Sequence, residues 1–231
     1  MSISMIMSSN GSQAPGSLDS SAMAMPNVSV ARKMLCKPVS YATVQNIVCT
    51  EDFVADQLTF TMRLLCSSTD LSVIYNWLPW EYTRFMKKEA HIEQLKEMYA
   101  QVAESGSSQS FMVLTNNVNI AQADVYEAMA DDISLQYDAR QGDYRLQFLI
   151  KPEKLIIGNY ATCIMQTVLE FFFSFREVKR LVIQLDEHEF LNTKAEKVGF
   201  VLHKKLVNRQ KTARLYACTR ESFMRAQNKL L

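Results

Sequence analysis

The sequence predicts one α/β domain in which a mixed central sheet of about seven strands is flanked by helices. Several runs of strand length are rich in β-branched and aromatic residues. The stretch from Asn159 to Phe175 has apolar residues at helical spacing, and the apolar run from Val178 to Leu185 follows it closely. A helix that leads into a central strand in this way usually crosses over from a preceding parallel strand. A chain of 231 residues is long enough for one such domain and its core.

The N-terminal segment differs in composition from the rest of the chain. Residues 1–36 are rich in Ser, Met, Ala and Gly, and Pro15 and Pro26 interrupt any helical pattern. We expect this segment to be a mobile extension, because it has few apolar residues of core size. The folded domain is then expected over residues 37–231.

Helical and strand patterns follow one another along this domain. Asp70 is expected to cap a helix from Leu71 to Leu78, which ends at Pro79 because proline disfavours helical geometry in the preceding residue. A second helix is predicted from Lys88 to Glu104 by its apolar spacing, and Ser105–Ser107 supplies the stop. The other predicted elements are strands at Val39–Val44, Leu58–Leu65, Gln109–Leu114, Asn119–Ala128, Asp143–Lys151, Val201–Val207 and Thr212–Cys218, a turn at Asn116–Asn117, and helices at Glu189–Lys197 and Glu221–Leu230.

The charge balance argues against two classes of partner. The chain has 25 basic and 24 acidic residues and a formal net charge of +1, so no overall field favours nucleic acid or an anionic membrane surface. No apolar run reaches the length of roughly 18 residues that a membrane span needs, and no secretory signal is evident. We therefore expect a cytoplasmic protein that binds neither nucleic acid nor membrane.

The cysteines indicate reduced thiols. Five are scattered along the chain without a CxxC pair or the close spacing of a metal knuckle, at Cys36, Cys49, Cys66, Cys163 and Cys218. None has a sequence neighbour that would activate it as a nucleophile, so a structural role is expected for Cys163 as well. No metal site is expected from this sequence.

Several separate segments agree in order and spacing with the motifs of one known family. They are Asp70-Leu71 with Trp77 and Arg84-Phe85-Met86, Asp124-Val125-Tyr126, Asp131-Asp132-Ile133, Tyr137-Asp138-Ala139, the strand Asp143 to Ile150, and the run from Lys211 to Phe223. Together with the order of elements, they resemble the GNAT superfamily of acyl-CoA-dependent N-acyltransferases. Within it they are similar to the branch that acylates hydroxylated amines in siderophore biosynthesis, the aerobactin and mycobactin type of lysine N-acyltransferase. The resemblance covers roughly Phe60 to Met224.

The resemblance implies acetyl-CoA or another acyl-CoA as co-substrate, with no metal. In the family, the backbone that corresponds to Phe148, Leu149 and Ile150 pairs with pantetheine and donates one N–H to the thioester oxygen. The pyrophosphate lies on amides that open a helix, a position occupied in this chain by Gly158, Asn159, Tyr160, Ala161 and Thr162.

This helix opening departs from the family pattern at two positions. Leu155 takes the place of an Arg or Gln, and Tyr160 replaces a small residue beside which the pyrophosphate could approach closely. The alternative is that Gly158 is a turn residue before an ordinary amphipathic helix.

For proton removal, the resemblance points to Gln147 and Asp186, where the siderophore branch has a His and an Asp. Glutamine cannot act as a base, so Gln147 either points into the cleft and hydrogen-bonds the substrate or is a polar residue on an exposed sheet face. Asp186 either orients or deprotonates the amine through water or caps the helix that starts near Glu189. His188 lies nearby, and histidines in such loops are usually solvated.

Three further residues are expected at the substrate. They are Trp77, Asp124 and Tyr126. Asp124 and Tyr126 share one face of their strand with Gln122 and could bind the polar head of the substrate. The same alternation also describes a half-solvated strand.

Two functions are compatible with these features. The first is transfer of an acetyl or related acyl group from acyl-CoA to a small-molecule amine, with an N-hydroxylated lysine or diamine in siderophore-type biosynthesis as the candidate acceptor. The second is a catalytically inactive GNAT-fold binding or interaction module. A doubly wound nucleotide-binding sheet is disfavoured, because no G-x-G-x-x-G motif follows an early strand. The oligomeric state is not predicted.

Overall fold

A mixed sheet organises the computed structural model, which describes residues 47–53, 57–79, 83–84, 87–156, 158–186, 190–208 and 211–230. The described strands form one eight-stranded sheet in the order β1-β2-β3-β4-β5-β6-β8-β7. The predicted extension over residues 1–36, the predicted strand Val39–Val44, His188 and the pair Phe85-Met86 lie outside the described residues.

The elements have the following bounds. The strands are β1 Ile47–Phe53, β2 Leu58–Leu64, β3 Ser108–Thr115, β4 Val118–Glu127, β5 Asp143–Ile150, β6 Arg180–Asp186, β7 Val201–Asn208 and β8 Lys211–Thr219. The helices are α1 Ser67–Tyr75, α2 Lys88–Glu104, α3 Pro152–Ile156, α4 Tyr160–Phe173, α5 Leu191–Lys197 and α6 Arg220–Leu230, and short 3-10 turns occupy Ala128–Ala130 and Asp132–Leu135. The predicted α/β class with a mixed sheet is confirmed, with one strand more than expected.

Two helices show how well local signals fix element bounds. Helix α2 spans Lys88–Glu104 as predicted. Helix α1 begins at Ser67, so the prediction that Asp70 caps a helix starting at Leu71 is wrong. The Asp70 carboxylate instead lies inside the first turns, where it accepts the backbone N–H of Cys66 at 2.8 Å and pairs with Arg63 at 2.7 Å. An acidic residue near a helix start can be the cap itself, or it can lie inside the first turns and accept backbone N–H groups there. Both arrangements look alike in the sequence, but in the second the helix begins about one turn earlier.

The hairpin between β3 and β4 confirms the predicted turn. Asn116 and Asn117 both adopt positive φ, at 49° and 60°. This is the left-handed geometry of a two-residue hairpin turn, and asparagine tolerates it better than most residues. Strand β1 was not predicted, because its exposed and half-buried residues do not form an apolar run.

The two faces of the sheet carry different layers. Helix α4 covers one face, where Phe171 and Phe172 pack edge-on against Phe111 with ring centroids 5.8 and 5.7 Å apart. Helices α1 and α2 cover the other face over β3, with Trp77 and Tyr99 among the buried side chains. Helix α4 is buried on more sides than its amphipathic pattern suggests, because α6 packs on it as well.

The parallel pair β5 and β6 is joined at one end only. Within the described part of the chain, its register runs from Asp143 opposite Arg180 to Arg145 opposite Val182. The Arg180 Nε donates to Asp143 Oδ1 at 3.0 Å at this end. Beyond Arg145 the two strands continue without pairing to each other, and the sheet opens between them.

No helix among the described residues is long and apolar enough to cross a membrane.

Candidate functional site

A cavity of about 620 Å³ lies where β5 and β6 part. Side chains from both faces of β5 line it, with Gln147 and Leu149 on one face and Phe148 and Ile150 on the other. The opening therefore passes between the strands instead of resting on one surface of the sheet. Its volume is within the range that small-molecule sites in proteins occupy.

Gln147 is the β5 residue that faces the polar side of this cavity. It shares its sheet face with Arg145 and Leu149, as the period of two predicts, and it is half-buried. Its partner in the β4 register is Asp124. The two side chains therefore meet on the same wall.

Asp124 is the most deeply buried carboxyl group on that wall. Its side chain accepts a hydrogen bond from the Ser110 hydroxyl on β3, and the residue is only 7% exposed. Burial raises the pKa of Asp124 to about 6, although bonds from Ser110 and Gln122 and the charge of Arg145 act in the opposite direction. The sequence pattern identified Asp124, but nothing in it indicated Ser110.

Tyr126 and Arg145 extend the polar wall towards the 3-10 turns. The Arg145 guanidinium lies 5.9 Å from the centre of the Tyr126 ring and pairs with Asp131 at 3.0 Å. Asp131 also accepts the backbone N–H of Ile133 at 2.9 Å. Burial raises the pKa of the Tyr126 hydroxyl, so this group stays protonated at neutral pH. The motif residue Asp131 thus holds an arginine in place beside the cavity.

The opposite wall is apolar. Trp77 follows the end of α1, is 6% exposed and lines the cavity. It packs in one cluster with Leu95 and Tyr99 from α2, and Leu149 of β5 contacts this cluster. A ligand that enters between the strands therefore meets an aromatic and aliphatic surface facing the carboxyl group of Asp124.

Asp186 closes the far side of the cavity at the end of β6. The residue is half-buried, and its backbone carbonyl accepts from the Asn192 amide at 2.8 Å. The N-cap position of α5 is Phe190, which corrects the alternative that Asp186 occupies that position. Gln147 and Asp186, which the resemblance implies as partners, therefore line one cavity from neighbouring strands.

The predicted phosphate-binding segment lies outside the lining of this cavity, at the start of α4. Gly158 has a φ of 55°, and Asn159 is the N-cap residue. The Tyr160 ring packs edge-on against Phe60 at 5.9 Å, so the bulky side chain is turned towards β2. Ala161 and Thr162 are buried in the first turn.

A lysine accompanies this helix start. Lys154 Nζ lies 4.2 Å from the centre of the Tyr160 ring, in the short helix that precedes α4. A cation and the amides of a helix N-terminus both favour an anion. The side chain of Leu155 is not described. Sequence reasoning missed Lys154, although its position four residues after the end of β5 could be read from the sequence.

The described ranges contain no metal-binding cluster and no cluster of cysteines. No group of three or more His, Cys, Asp or Glu side chains there could hold a metal ion. Cys49, Cys66, Cys163 and Cys218 form no disulfide with one another, and burial raises the pKa of Cys218 to about 12.

Solved structures with this fold include several acetyltransferases. An uncharacterized protein from Bacillus halodurans is 14% identical, with a TM-score of 0.68 over 78% of this chain and 94% of that chain. The aminoglycoside acetyltransferase AAC(6')-Ib, in complex with coenzyme A and kanamycin, is 19% identical, with a TM-score of 0.61 over 73% and 99%. A chimera of the spermidine N-acetyltransferases SpeG from Vibrio cholerae and hSSAT is 17% identical, with a TM-score of 0.56 over 71% and 98%. These similarities show a common fold.

The sequence itself matches a family. No curated protein matches the chain. The family described as "Acetyltransferase (GNAT) domain" matches residues 67–207, which is more than half of the 231 residues. The match includes β5, α4 and β6 and therefore the parted strands. The chain belongs to the GNAT acetyltransferase family.

Proposed function

We propose that this protein is an acyl-CoA-dependent N-acyltransferase that moves an acetyl or related acyl group to a small amine. The observation that carries the proposal is the parting of β5 and β6 after Arg145 over a cavity that reaches both faces of the sheet. An extended ligand can lie there as an additional strand, with its reactive end beside the polar wall.

In this proposal the acyl-CoA occupies two adjoining surfaces. Backbone groups of Phe148 to Ile150 bind the pantetheine arm, and one N–H donates to the thioester oxygen, where negative charge develops. The amides of Gly158 to Thr162 and the ammonium of Lys154 bind the phosphates. Two supports are the position of the Tyr160 ring, which is turned towards β2, and the start of α4, which follows β5 after only the short helix α3. Related folds solved with coenzyme A bound are consistent with this arrangement.

The acceptor end of the cavity favours a cation. The lining carboxylates are Asp124, Glu127, Asp131, Asp132 and Asp186. Among the described lining residues the one basic side chain is Arg145, and it is already paired with Asp131. Such a wall attracts an ammonium group and repels an anionic acceptor. Trp77 and Leu149 would contact the apolar part of the acceptor.

The finer proposal concerns the amine itself. The motif resemblance favours an N-hydroxylated lysine or a related diamine as acceptor, and Gln147 offers an amide that both donates and accepts hydrogen bonds. In this scheme Gln147 binds the hydroxylated nitrogen, and Asp186 orients the amine from the other strand. The acyl group is acetyl or a related short acyl chain.

Release of free CoA tests the proposal directly. Purified protein is incubated with acetyl-CoA or succinyl-CoA and a panel of alkylamines, diamines, polyamines and N-hydroxylated diamines. We expect CoA release with at least one amine. In the double variant Gln147→Ala, Asp186→Ala the rate of this release should fall about 100-fold or more. Arg140→Gln, on the exposed surface, serves as the control.

The outcome also separates the two functions considered from the sequence. CoA binding without turnover, across the whole amine panel, would contradict the enzymatic proposal and favour the inactive binding module. Activity on unmodified polyamines alone would contradict the preference for hydroxylated amines while leaving acyl transfer intact.

A further inference from the structure

The buried carboxyl group opposite Gln147 is placed where the amine must lose a proton. We propose that Asp124 is the residue that accepts this proton, in place of the Gln147 and Asp186 pair, an inference that rests on the proposed function.

Position comes from the strand register. Asp124 on β4 is directly opposite Gln147 on β5, and residues in such pairs on one face have Cβ atoms roughly 4.5–5.5 Å apart. Both line the cavity, and Gln147 stands at the point where β5 has just parted from β6. A group bound by the Gln147 amide is therefore within reach of the Asp124 carboxylate.

Each element packed on Asp124 contributes a defined group. Ser110 on β3 donates a hydrogen bond to the carboxylate, and Tyr126 lies two residues along β4 on the same face. Arg145 on β5 contributes a positive charge, which Asp131 offsets at 3.0 Å. Burial raises the pKa of the Tyr99 hydroxyl on α2, and the nearby charge of Asp124 raises it further. The single positive charge nearby is thus already shared, and Asp124 has no ion-pair partner of its own among the described side chains.

This setting tunes the carboxyl group for proton transfer. A pKa of about 6 keeps Asp124 ionised above neutrality, yet makes it a stronger base than an ordinary aspartate. Hydrogen bonds from Ser110, Gln122 and Tyr126 hold the carboxylate in place on the cavity wall. Gln147 cannot ionise, and Asp186 lies on the far strand, across the opening from the Gln147 and Asp124 pair.

Acyl transfer then proceeds by direct attack of the amine on the thioester. The amine nitrogen forms a bond to the acyl carbon of the thioester while one of its protons moves to the Asp124 carboxylate. The carbon–sulfur bond breaks, and its electron pair leaves with the sulfur of CoA. The Asp124 carboxylic acid afterwards releases the proton to the thiolate or to solvent. No oxidant, reductant or metal takes part in the step.

The test is the pH profile of kcat/KM for CoA release with an accepted amine. Wild-type activity should fall below pH about 6 as Asp124 becomes protonated, in addition to any limb from protonation of the amine, which all variants share. Asp124→Asn should lose about 100-fold or more in kcat/KM. Asp138→Asn, the same change on the exposed surface, should keep wild-type activity.

Ser110→Ala distinguishes catalysis from a structural role. The bond from Ser110 lowers the pKa of Asp124, so its removal should move the acidic limb to higher pH while activity at high pH is partly retained. If Asp124 had only a structural role, Ser110→Ala would lower the activity without moving the acidic limb of the pH profile. Circular dichroism and thermal melting verify that each variant is folded.

The possible failures differ from one another. A wild-type chain that releases no CoA with any amine overturns both the proposed function and this inference. A wild-type chain that is active, together with an Asp124→Asn variant within tenfold of it or an unmoved limb in Ser110→Ala, overturns the assignment of Asp124 alone.

Discussion

Arg180 at the start of β6 holds Asp143 at the start of β5, with Arg180 Nε donating to Asp143 Oδ1 at 3.0 Å. The Asp143 side chain is 3% exposed and also accepts from the Tyr137 hydroxyl at 3.2 Å. This ion pair fastens the two parallel strands at the end where they are paired. At the other end, beyond Arg145, the two strands are not paired with each other and line the cavity.

Arg180→Met should destabilise the fold by about 3 kcal/mol, because it leaves a buried carboxylate without its cation. Urea unfolding at pH 7.5 measures the loss. Arg140→Met removes an ion pair of similar length to Asp138 on the surface, where both side chains are more than 70% exposed, and should change stability by less than about 1 kcal/mol. Equal losses of stability in the two variants would contradict the role of the Arg180–Asp143 ion pair in joining β5 and β6.

Asp124→Asn should make the fold more stable at alkaline pH while it removes activity. The folded pKa of about 6 exceeds the ordinary value of 3.8. The carboxylate therefore lowers stability fully above pH 6, and the penalty disappears as pH falls towards 4. The Asn variant should be up to about 3 kcal/mol more stable at pH 8.

Urea unfolding of both proteins at pH 8 and pH 4.5 measures this difference. The two stability curves should converge at the lower pH. An Asn variant that is less stable at pH 8 would show that the hydrogen bonds of Asp124 outweigh its burial.

Two glycines at positive φ should respond differently to alanine. Gly158 has space around it, so Gly158→Ala carries only the conformational cost, roughly 1 kcal/mol. At Gly142, whose φ is 90°, a Cβ atom would stand 2.6 Å from the Glu177 carbonyl oxygen. Thermal melting should therefore show a clearly larger loss for Gly142→Ala, and the reverse order would contradict the geometry at both turns.

Coenzyme A should raise the melting temperature of the wild-type protein, since a ligand at 100 times its Kd stabilises a fold by about 2.7 kcal/mol. Lys154→Met should weaken CoA binding about three- to tenfold, because one cation beside the helix start is lost. Lys96→Met, which removes an exposed lysine paired with Glu93 on α2, is the matched control. If the rise in melting temperature with coenzyme A is the same in Lys154→Met as in the wild-type protein, the phosphates bind elsewhere.

Much of the fold could be predicted because local patterns and tertiary packing agree. Apolar spacing located α2 and α4, and the Asn116-Asn117 turn fixed the hairpin between β3 and β4. Where long-range contacts decide, prediction failed. Asp70 looked like a helix cap, but its partner Arg63 on β2 holds it inside α1. Thr162 is polar, yet tertiary packing buries it in the first turn of α4.

The candidate site was predictable in its location more than in its chemistry. Period-two alternation placed Asp124 and Tyr126 on one face of β4, and the strand register of the structure sets Gln147 opposite Asp124. Whether a carboxyl group is solvated or buried depends on neighbours such as Ser110 on β3, which lies 14 positions away in sequence. Motif spacing alone therefore could not separate a substrate contact from a proton acceptor.

The short register between β5 and β6 also has a mechanical consequence. Strands β1 to β5 and strands β6 to β8 behave as two half-sheets that share one seam, three residue pairs long in the described chain. A molecule lying in the opening would lengthen that seam with its own hydrogen bonds and so tie the halves together. Amide hydrogens along the free edges of β5 and β6 should then exchange more slowly with coenzyme A present, even in a variant that has lost all catalytic activity.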